Sequence, residues 1–272
     1  MATPLPGDEP GAPVTYERDG GTAWIRIGRE DKFNALTGEM YLALFKCLAR
    51  ADCDDDIDTV VIRGTGKAFC AGGDLKKVAC LDDSLDSRLG LYLWAQTAHN
   101  VFSQPETMSK IVIAAVNGVA QAGGLILTLT SDIVIASERA SFRVPEARVG
   151  LGEPYVPQRL LPRVGSAAAQ YLIQTGREID AHEAYRIGLV SRVVPHDDLD
   201  RVVRAEIAEI RMGAPEQRLA YKQYLVRQLP PFNVADIRRC VFHPAAREGT
   251  RAFAEKRPPA WVPTAVAAGL SQ

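Results

Sequence analysis

The chain has 272 residues, of which 47% are hydrophobic, and a formal net charge of −1. This length allows one or two domains and a core that needs no disulfide or metal to hold it. The 32 basic and 33 acidic residues form no long run of one sign, which argues against nucleic acid or a membrane surface as a partner. The five cysteines lack C-x-x-C spacing, which favours reduced thiols and a cytoplasmic location.

The N-terminal residues and the longest apolar stretch predict neither a targeting peptide nor a membrane segment. Residues 1–13 are rich in Pro, Gly and Ala, without a basic start or an apolar run, so we expect a disordered tail and no signal peptide. The longest apolar stretch, 111–135, is interrupted by polar residues and glycines. It therefore predicts no membrane span.

Strands and helices alternate in the first part of the chain. The predicted elements are, in order, a hairpin over 14–28, a helix over 39–50, a strand over 59–63, a helix over 89–102, a strand over 111–116, a short helix after 124 and a strand over 133–136. The uninterrupted apolar centres of 59–63 and 111–116 are typical of parallel strands buried on both faces.

After Ser166 the pattern changes to helices. They are predicted over 167–174, 181–186, 199–211, 216–229 and 245–255, with one strand over 189–194. Alternating strands and helices followed by helices predict an α/β core with a helical C-terminal part.

Common cofactor and metal motifs are missing from the sequence. The segment Gly64-Thr65-Gly66-Lys67 lacks the glycine and the hydroxyl residue that a phosphate-binding loop needs, and it lacks the third glycine of a dinucleotide fingerprint. The four histidines lie far apart without the local spacing of zinc ligands. We therefore expect no metal site.

Two turns rich in small residues follow predicted strands, at 68–75 (AFCAGGDL) and 117–124 (NGVAQAGG). Small residues at such turns let a ligand approach the backbone N–H groups closely. One N–H from each turn could converge on a single oxygen and stabilise negative charge that develops there. Tight packing of the turns would account for the same residues without any ligand.

These turns resemble the crotonase, or enoyl-CoA hydratase/isomerase, superfamily. The first lies within R-G-T-G-K-A-F-C-A-G-G-D-L and the second within A-A-V-N-G-V-A-Q-A-G-G. Further matches are Pro145-Glu146, Gln158-Arg159-Leu160, Gly188-Leu189-Val190 and a C-terminal E-G-x-x-A-F-x-E-K-R. The resemblance covers residues 14–261.

The resemblance implies a fold, an assembly and a substrate class. The fold is an α/β core built as a repeated ββα spiral over 14–195, followed by a helical trimerisation region over 196–272. The assembly is a homotrimer or a hexamer formed by two trimers, with Phe253 and Lys256 closing the pocket of a neighbouring subunit. The substrate is an acyl-CoA, so coenzyme A enters as part of the thioester and no cofactor is permanently bound.

The resemblance also implies binding residues. An oxyanion hole for the thioester carbonyl is formed by the N–H groups of Ala71 and Gly123, which stabilise the enolate character of the transition state. The residues expected against the CoA moiety are Lys32, Ala35, Gly73, Asp74 and Leu75.

The catalytic acids depart from the hydratase pattern. Family hydratases use two glutamates, and the first lies three residues after the second oxyanion glycine, where this chain has Ile126. Isoleucine cannot orient or deprotonate water. The second matches Glu146, whose pKa an apolar pocket would raise into the range for proton transfer at carbon. A surface pairing of Glu146 with Arg143 or Arg148 is the structural alternative.

Two further residues are candidates by the same resemblance. Glu153 stands close to the position where family double-bond isomerases carry their carboxylate, although this chain is one residue shorter there, and it could equally lie in a solvated loop. His243 matches the C-terminal histidine of some decarboxylating relatives, or it is a structural residue before Pro244.

The resemblance, together with the missing first glutamate, therefore implies an enzyme that shifts a double bond in an enoyl-CoA, with Glu146 and possibly Glu153 as its acids. Hydration or dehydration of an unusual acyl group, and decarboxylation or hydrolysis of a thioester, remain open. A catalytically silent CoA-thioester binding protein is the alternative of another class. The segment 76–90 with Tyr92, Trp94 and Phe102 would shape the acyl pocket, unless these aromatic side chains belong to the core.

Overall fold

The computed structural model describes residues 7–9, 11–76, 84–264 and 266. Much of the predicted tail over 1–13 and residues 77–83 of the predicted pocket segment lie outside the described residues. In the described ranges no helix has the length and apolar character to cross a membrane.

A sheet of six strands forms the centre of the fold, in the order β1-β2-β3-β5-β7-β10. Its strands are β1 Val14–Asp19, β2 Thr22–Ile27, β3 Thr59–Gly64, β5 Ile111–Val116, β7 Ile133–Ser137 and β10 Arg192–Val194. The hairpin strand β1 is antiparallel to β2, and the other neighbours are parallel. All of β5 is buried, which confirms the prediction from its apolar run.

A second, smaller sheet has the order β4-β6-β8-β9. Its strands are β4 Ala68–Cys70, β6 Val119–Gln121, β8 Ser141–Arg143 and β9 Ile179–Asp180. In the chain, β4 follows β3, β6 follows β5 and β8 follows β7, each after a short turn. The repeated unit is therefore a strand of the larger sheet, a turn and a short strand of the smaller sheet. The sequence predicted turns without strands at 68–75 and 117–124, and the structure corrects this, because Ala68–Cys70 and Val119–Gln121 are short strands.

The described helices complete the repeat and form the C-terminal part. They are α1 Gly38–Cys53, α2 Leu85–Thr107, α3 Gly123–Thr130, α4 Tyr155–Thr175, α5 Ala181–Arg186, α6 Leu199–Arg211, α7 Pro215–Val226, α8 Val234–Val241 and α9 Pro244–Glu255. Short 3-10 turns span Glu30–Lys32, Glu146–Val149 and His196–Asp198. The side-chain oxygen of Thr37 accepts a hydrogen bond from the N–H of Met40 and so caps α1. This bond satisfies one of the N–H groups that have no partner at a helix start.

The sequence missed two helical features. Helix α4 begins at Tyr155, well before the predicted start at 167, and it bends at Gly165, whose φ of 75° is not helical. Helix α8 was not predicted at all. In addition, the strand predicted over 189–194 is shorter, Arg192–Val194.

Two apolar clusters hold these layers together. The larger one fills the space between the sheets and helices α1 to α4. The smaller one lies on the opposite face of the six-stranded sheet, where Trp24 and Val61 pack against Leu199 and Val203 of α6. Each fully buried aliphatic side chain contributes about 1.5–3 kcal/mol, so these clusters fix the strand ends at which the site is built.

The helices after residue 196 pack on the α/β core. Helix α6 contacts β5 and β7, α7 and α8 contact α2, and α9 contacts the turn Glu146–Val149. The helical C-terminal part is therefore confirmed, and its role in forming trimers stays a prediction.

Candidate active site

The two glycine-rich turns lie against one another. A Cβ added to Gly72, which has a φ of 93°, would lie 2.6 Å from the Cβ of Ala122 and 3.0 Å from the nitrogen of Gly123. A Cβ on Gly124 would lie 1.9 Å from the carbonyl oxygen of Cys70. Only glycine allows this approach, because any side chain would force the turns apart.

Two buried asparagines hold the first turn in place. The Asn34 amide donates to the carbonyl of Ala68 at 2.8 Å, and its Oδ1 accepts the N–H of Arg29 at 2.7 Å. The Asn117 amide donates to the same Ala68 carbonyl at 3.0 Å, and its Oδ1 accepts the N–H of Gly64 at 3.1 Å. The backbone of the turn is therefore fixed before any ligand binds.

The structure corrects one predicted donor. The N–H of Ala71 donates to the carbonyl of Phe33 at 3.0 Å, so it is already occupied and the prediction of an Ala71 donor is wrong. Within the described chain, the N–H of Gly73 meets no acceptor, although its neighbours Gly72 and Asp74 are both bonded to Leu36. Gly123 begins α3, where the first N–H groups have no partner inside the helix.

These donors open into a cavity of about 610 Å³. All five residues predicted to contact CoA line it, namely Lys32, Ala35, Gly73, Asp74 and Leu75. Asp74 is held by Arg29, whose Nη1 lies 2.7 Å from its Oδ2. The side chain of Lys32 is about half exposed and pairs with Asp31 at 3.4 Å.

Glu146 lies on the wall of this cavity, at the start of the 3-10 turn after β8. Its side chain is buried, and among the described residues neither carboxylate oxygen has a hydrogen-bond partner. Burial raises the pKa of Glu146 to about 8, and the charge of Glu153 adds to the shift. An unpaired buried carboxyl of this kind is suited to exchanging a proton near neutral pH.

The surface-pairing alternative for Glu146 does not hold. The Nε of Arg143 donates to the carbonyl of Gly176 at 2.8 Å, and the Nη2 of Arg148 donates to the carbonyl of Thr175 at 2.7 Å. Helix α9 also packs closely on the Glu146 turn, since a Cβ on Gly249 would lie 2.2 Å from the Val149 carbonyl.

Glu153 lines the same cavity as Glu146. Its Oε1 accepts the N–H of Tyr155 at 3.1 Å, which fixes the side chain at the start of α4. Burial raises the pKa of Glu153 to about 7. The structure thus places two carboxyl groups with raised pKa values in one cavity. Glu153 does not lie in a solvated loop.

Aromatic side chains form another part of the cavity wall. The ring of Tyr41 meets Trp94 edge-on at 5.9 Å and Phe102 edge-on at 5.9 Å, and all three line the cavity. Ile126 lines it as well. Tyr92, by contrast, is exposed and stacks with the guanidinium of Arg238. Trp94 and Phe102 therefore shape the pocket, and Tyr92 does not line it.

The other residues that the sequence suggested for the site are His243, Phe253 and Lys256. The Nδ1 of His243 accepts the N–H of Ala245 at 3.2 Å and caps α9, and His243 does not line the cavity. Phe253 lines the cavity of its own chain, and Lys256 ends α9 with a φ of 55°. Within the described ranges no group of three His, Cys, Asp or Glu side chains is placed to hold a metal ion.

The sequence reasoning missed Tyr41. Its position among the apolar residues of α1 is that of a core residue, and it is in fact 1% exposed. The available signal was a phenol hydroxyl in a helix face that is otherwise apolar, since a buried tyrosine oxygen usually requires a partner.

Comparison with known proteins agrees with this geometry. The family described as enoyl-CoA hydratase/isomerase matches residues 17–263. The chain belongs to this family. The Mycobacterium bovis protein named "Probable enoyl-CoA hydratase echA8" is 36% identical over 256 residues, which cover 90% of this chain and 96% of the relative.

Two solved structures show the same fold. The enoyl-CoA hydratase from Bacillus anthracis is similar with a TM-score of 0.74 and 28% identity, over 91% of this chain and 98% of that one. A monofunctional enoyl-CoA isomerase from M. smegmatis is similar with a TM-score of 0.69 and 27% identity, over 83% of this chain and 97% of that one. This confirms the crotonase fold and an acyl-CoA enzyme of this family.

Proposed function

We propose that this protein shifts a double bond in an acyl-CoA thioester and so converts a 3-enoyl-CoA into the conjugated 2-enoyl-CoA. The observation that carries the proposal is Glu146, a buried carboxyl without a partner in the described chain, in the same cavity as the free N–H of Gly73. Ile126, which cannot act on water, occupies the position of the first hydratase glutamate.

The thioester oxygen is bound by two backbone donors in this proposal. The N–H groups of Gly73 and Gly123 take the place that the sequence assigned to Ala71 and Gly123. Because the turns are locked together by Gly72 and Gly124, the donors need no reorganisation when negative charge develops on the oxygen. Removing one donor of this kind typically lowers the rate by about 10²- to 10³-fold.

Proton transfer is assigned to Glu146. In its ionised form it takes a proton from C2; the C2–H electron pair then forms the dienolate, whose charge rests on the thioester oxygen. The C3=C4 electron pair next takes the proton back from Glu146 at C4. At the same time the C1=C2 pair of the dienolate becomes the C2=C3 double bond, and the oxygen electron pair restores the thioester carbonyl. The charge of Glu153 makes Glu146 more basic, so Glu153 supports this step.

Hydration is the second candidate function. The relatives' names and the presence of a second carboxyl group in the cavity favour it, because Glu146 and Glu153 together could hold a water molecule. In that case Glu153 would replace the acid that is missing at Ile126. The two reactions differ in whether water enters the product.

Contacts to CoA follow from the lining of the cavity mouth. We expect Lys32, whose side chain is about half exposed and pairs with Asp31, to contact the CoA phosphates, and Ala35 and Leu75 to offer apolar contact to the adenine and pantetheine portions. A homotrimer or hexamer and a cytoplasmic location remain predictions.

The test uses two substrates. Incubation with trans-3-enoyl-CoA should increase the absorbance of the conjugated thioester, and incubation with trans-2-enoyl-CoA should leave that absorbance unchanged. Loss of absorbance with the 2-enoyl substrate and no gain with the 3-enoyl substrate would replace isomerisation by hydration. Binding of both esters without any change would indicate the silent CoA-thioester binding protein instead.

A further inference from the structure

The Tyr41 hydroxyl lies beside both glycines that carry the proposed donors. It is 3.1 Å from the position that a Cβ on Gly123 would take and 3.5 Å from the corresponding position on Gly73. Gly123 and Gly73 belong to the two different turns. The hydroxyl therefore stands at the junction where the turns meet, on the cavity side.

Packing fixes the direction of this hydroxyl. Tyr41 is 1% exposed, and its ring is held edge-on by Trp94 on one side and Phe102 on the other, with interplanar angles of 87° and 85°. Phe102 is in turn packed edge-on against Tyr155 at 5.5 Å. A ring confined in this way cannot swing its oxygen toward solvent, so the O–H keeps its place at the turns.

The hydroxyl has no partner among the described residues. No hydrogen bond is formed by Tyr41 Oη in the described chain, whereas the comparable Tyr155 hydroxyl meets the Nδ1 of His99 at 2.6 Å. A tyrosine with a buried ring usually gives its hydroxyl a hydrogen-bond partner. A ligand oxygen in the cavity would supply the missing acceptor.

We propose that the Tyr41 hydroxyl is a third hydrogen-bond donor to the thioester oxygen, acting together with the N–H groups of Gly73 and Gly123. This inference rests on the proposed function, because it needs a thioester enolate in the cavity. Burial and the nearby carboxylates raise the pKa of Tyr41 well above its usual value, which keeps the phenol protonated and able to donate. Three donors would shift more of the dienolate charge onto oxygen than two.

The experiment measures enolate stabilisation without turnover. Acetoacetyl-CoA is added to the protein, and the pH at which the bound ligand ionises is followed by the absorbance of its enolate. The wild-type protein should ionise it at a lower pH than free solution does. Tyr41→Phe should raise the ionisation pH of the bound ligand by about one unit, the effect of a tenfold loss of stabilisation, with little change in the affinity for butyryl-CoA.

Two further variants separate the role of the hydroxyl from structural effects. Tyr16→Phe is the matched control, since the Tyr16 hydroxyl has no partner among the described residues and does not line the cavity. This change should leave the ionisation pH unchanged. Incorporation of 3-fluorotyrosine at position 41, which makes the phenol a stronger donor, should lower the ionisation pH. This variant keeps the ring and covers the case in which Tyr41→Phe does not fold.

The outcomes are distinct. In one outcome the wild-type protein lowers the ionisation pH of acetoacetyl-CoA, and both Tyr41→Phe and the fluorinated variant show the same ionisation pH as the wild type. This result overturns the Tyr41 inference and leaves the proposed function standing. If the wild-type protein does not lower the ionisation pH of acetoacetyl-CoA, the proposed function fails and this inference fails with it. An upward shift in Tyr41→Phe and a downward shift in the fluorinated variant support both.

Discussion

Glu146 and Glu106 are two carboxyl groups that the fold buries to a similar degree, with exposed fractions of 6% and 8%. Glu106, on α2, is held by the guanidinium of Arg159 through two bonds, of 2.5 Å from Nε and 2.9 Å from Nη2. Glu146 has no such partner in the described chain. Burial raises the pKa of both, but at Glu106 the charge of Arg159 opposes the shift.

The comparison separates a carboxylate that is held in an ion pair from one that has no partner in the described chain. Arg159 also donates to the carbonyl of Pro230 at 2.9 Å and stacks on the ring of Phe232 at 3.6 Å, so the Glu106 pair ties α2, α4 and the segment before α8 together. Glu146 faces a cavity and contributes nothing comparable to packing. Burial is common to both carboxyl groups, so the missing partner and the cavity are what make Glu146 the candidate for proton transfer.

The largest expected effect is on turnover, from Glu146→Gln. Loss of the proton-transfer group should lower kcat for the double-bond shift by about 10²- to 10⁴-fold. The variant should not lose stability. Because the folded-state pKa of Glu146 is raised, the wild-type protein is destabilised as the pH rises from about 4.5 toward about 8, and glutamine removes this penalty.

Steady-state rates and thermal unfolding at pH 5 and pH 8 check this prediction. The exposed Glu183→Gln, whose partner is Arg186, serves as the control for a carboxyl-to-amide change. Full activity of Glu146→Gln would remove Glu146 from the mechanism.

The opposite pattern is expected from Glu106→Gln. This change leaves the Arg159 charge buried without its counter-charge, which should cost about 3–5 kcal/mol of unfolding free energy. The kcat of the molecules that stay folded should be unchanged, because Glu106 does not line the cavity. Denaturant unfolding together with active-site titration measures both quantities.

A second substitution tests whether the charges of the Glu106–Arg159 pair account for its contribution to stability. Combining Glu106→Gln with Arg159→Met removes both charges, so it should recover part of the lost stability. If the double variant is as unstable as the two single losses added together, the bonds to Pro230 and the contact with Phe232 matter more than the ion pair.

The smallest effect is expected from Glu153→Gln. Its charge raises the pKa of Glu146, so its removal lowers that pKa. If ionised Glu146 is the base, kcat/KM rises with pH through the pKa of Glu146, and this rising limb should move to lower pH in the variant. The maximal rate should fall by about tenfold or less, since a weaker base remains in place. A hydratase that needs Glu153 to hold water would instead lose its activity at every pH.

Much of the fold follows from residue patterns. Uninterrupted apolar runs predicted the central strands at 59–63 and 111–116, because parallel strands covered on both faces typically have this composition. The small sheet was missed because strands as short as Ala68–Cys70 contain too few residues to show a period. The predicted start of helix α4 lies too far toward the C-terminus, because two prolines and Gly165 interrupt the helical pattern in its first part.

The site was predicted in part. The sequence motifs allowed Glu146, Gly123 and the five residues expected to contact CoA to be predicted. In the structure they all line one cavity. Ala71 was assigned wrongly, since the sequence does not show that its N–H is taken by the carbonyl of Phe33. Tyr41 was missed because its ring belongs to the core, and only the three-dimensional structure shows its hydroxyl at the turns.

The fate of a single hydrogen tests the central claim most directly. A 3-enoyl-CoA that carries deuterium at C2 is converted in ordinary water, and the product is examined for deuterium at C4. If Glu146 moves the same proton from C2 to C4, part of the deuterium should appear at C4 with the wild-type protein, and Glu146→Gln should transfer almost none. Equal transfer by the variant and the wild-type protein, or a product that carries a new hydroxyl group, would contradict the account.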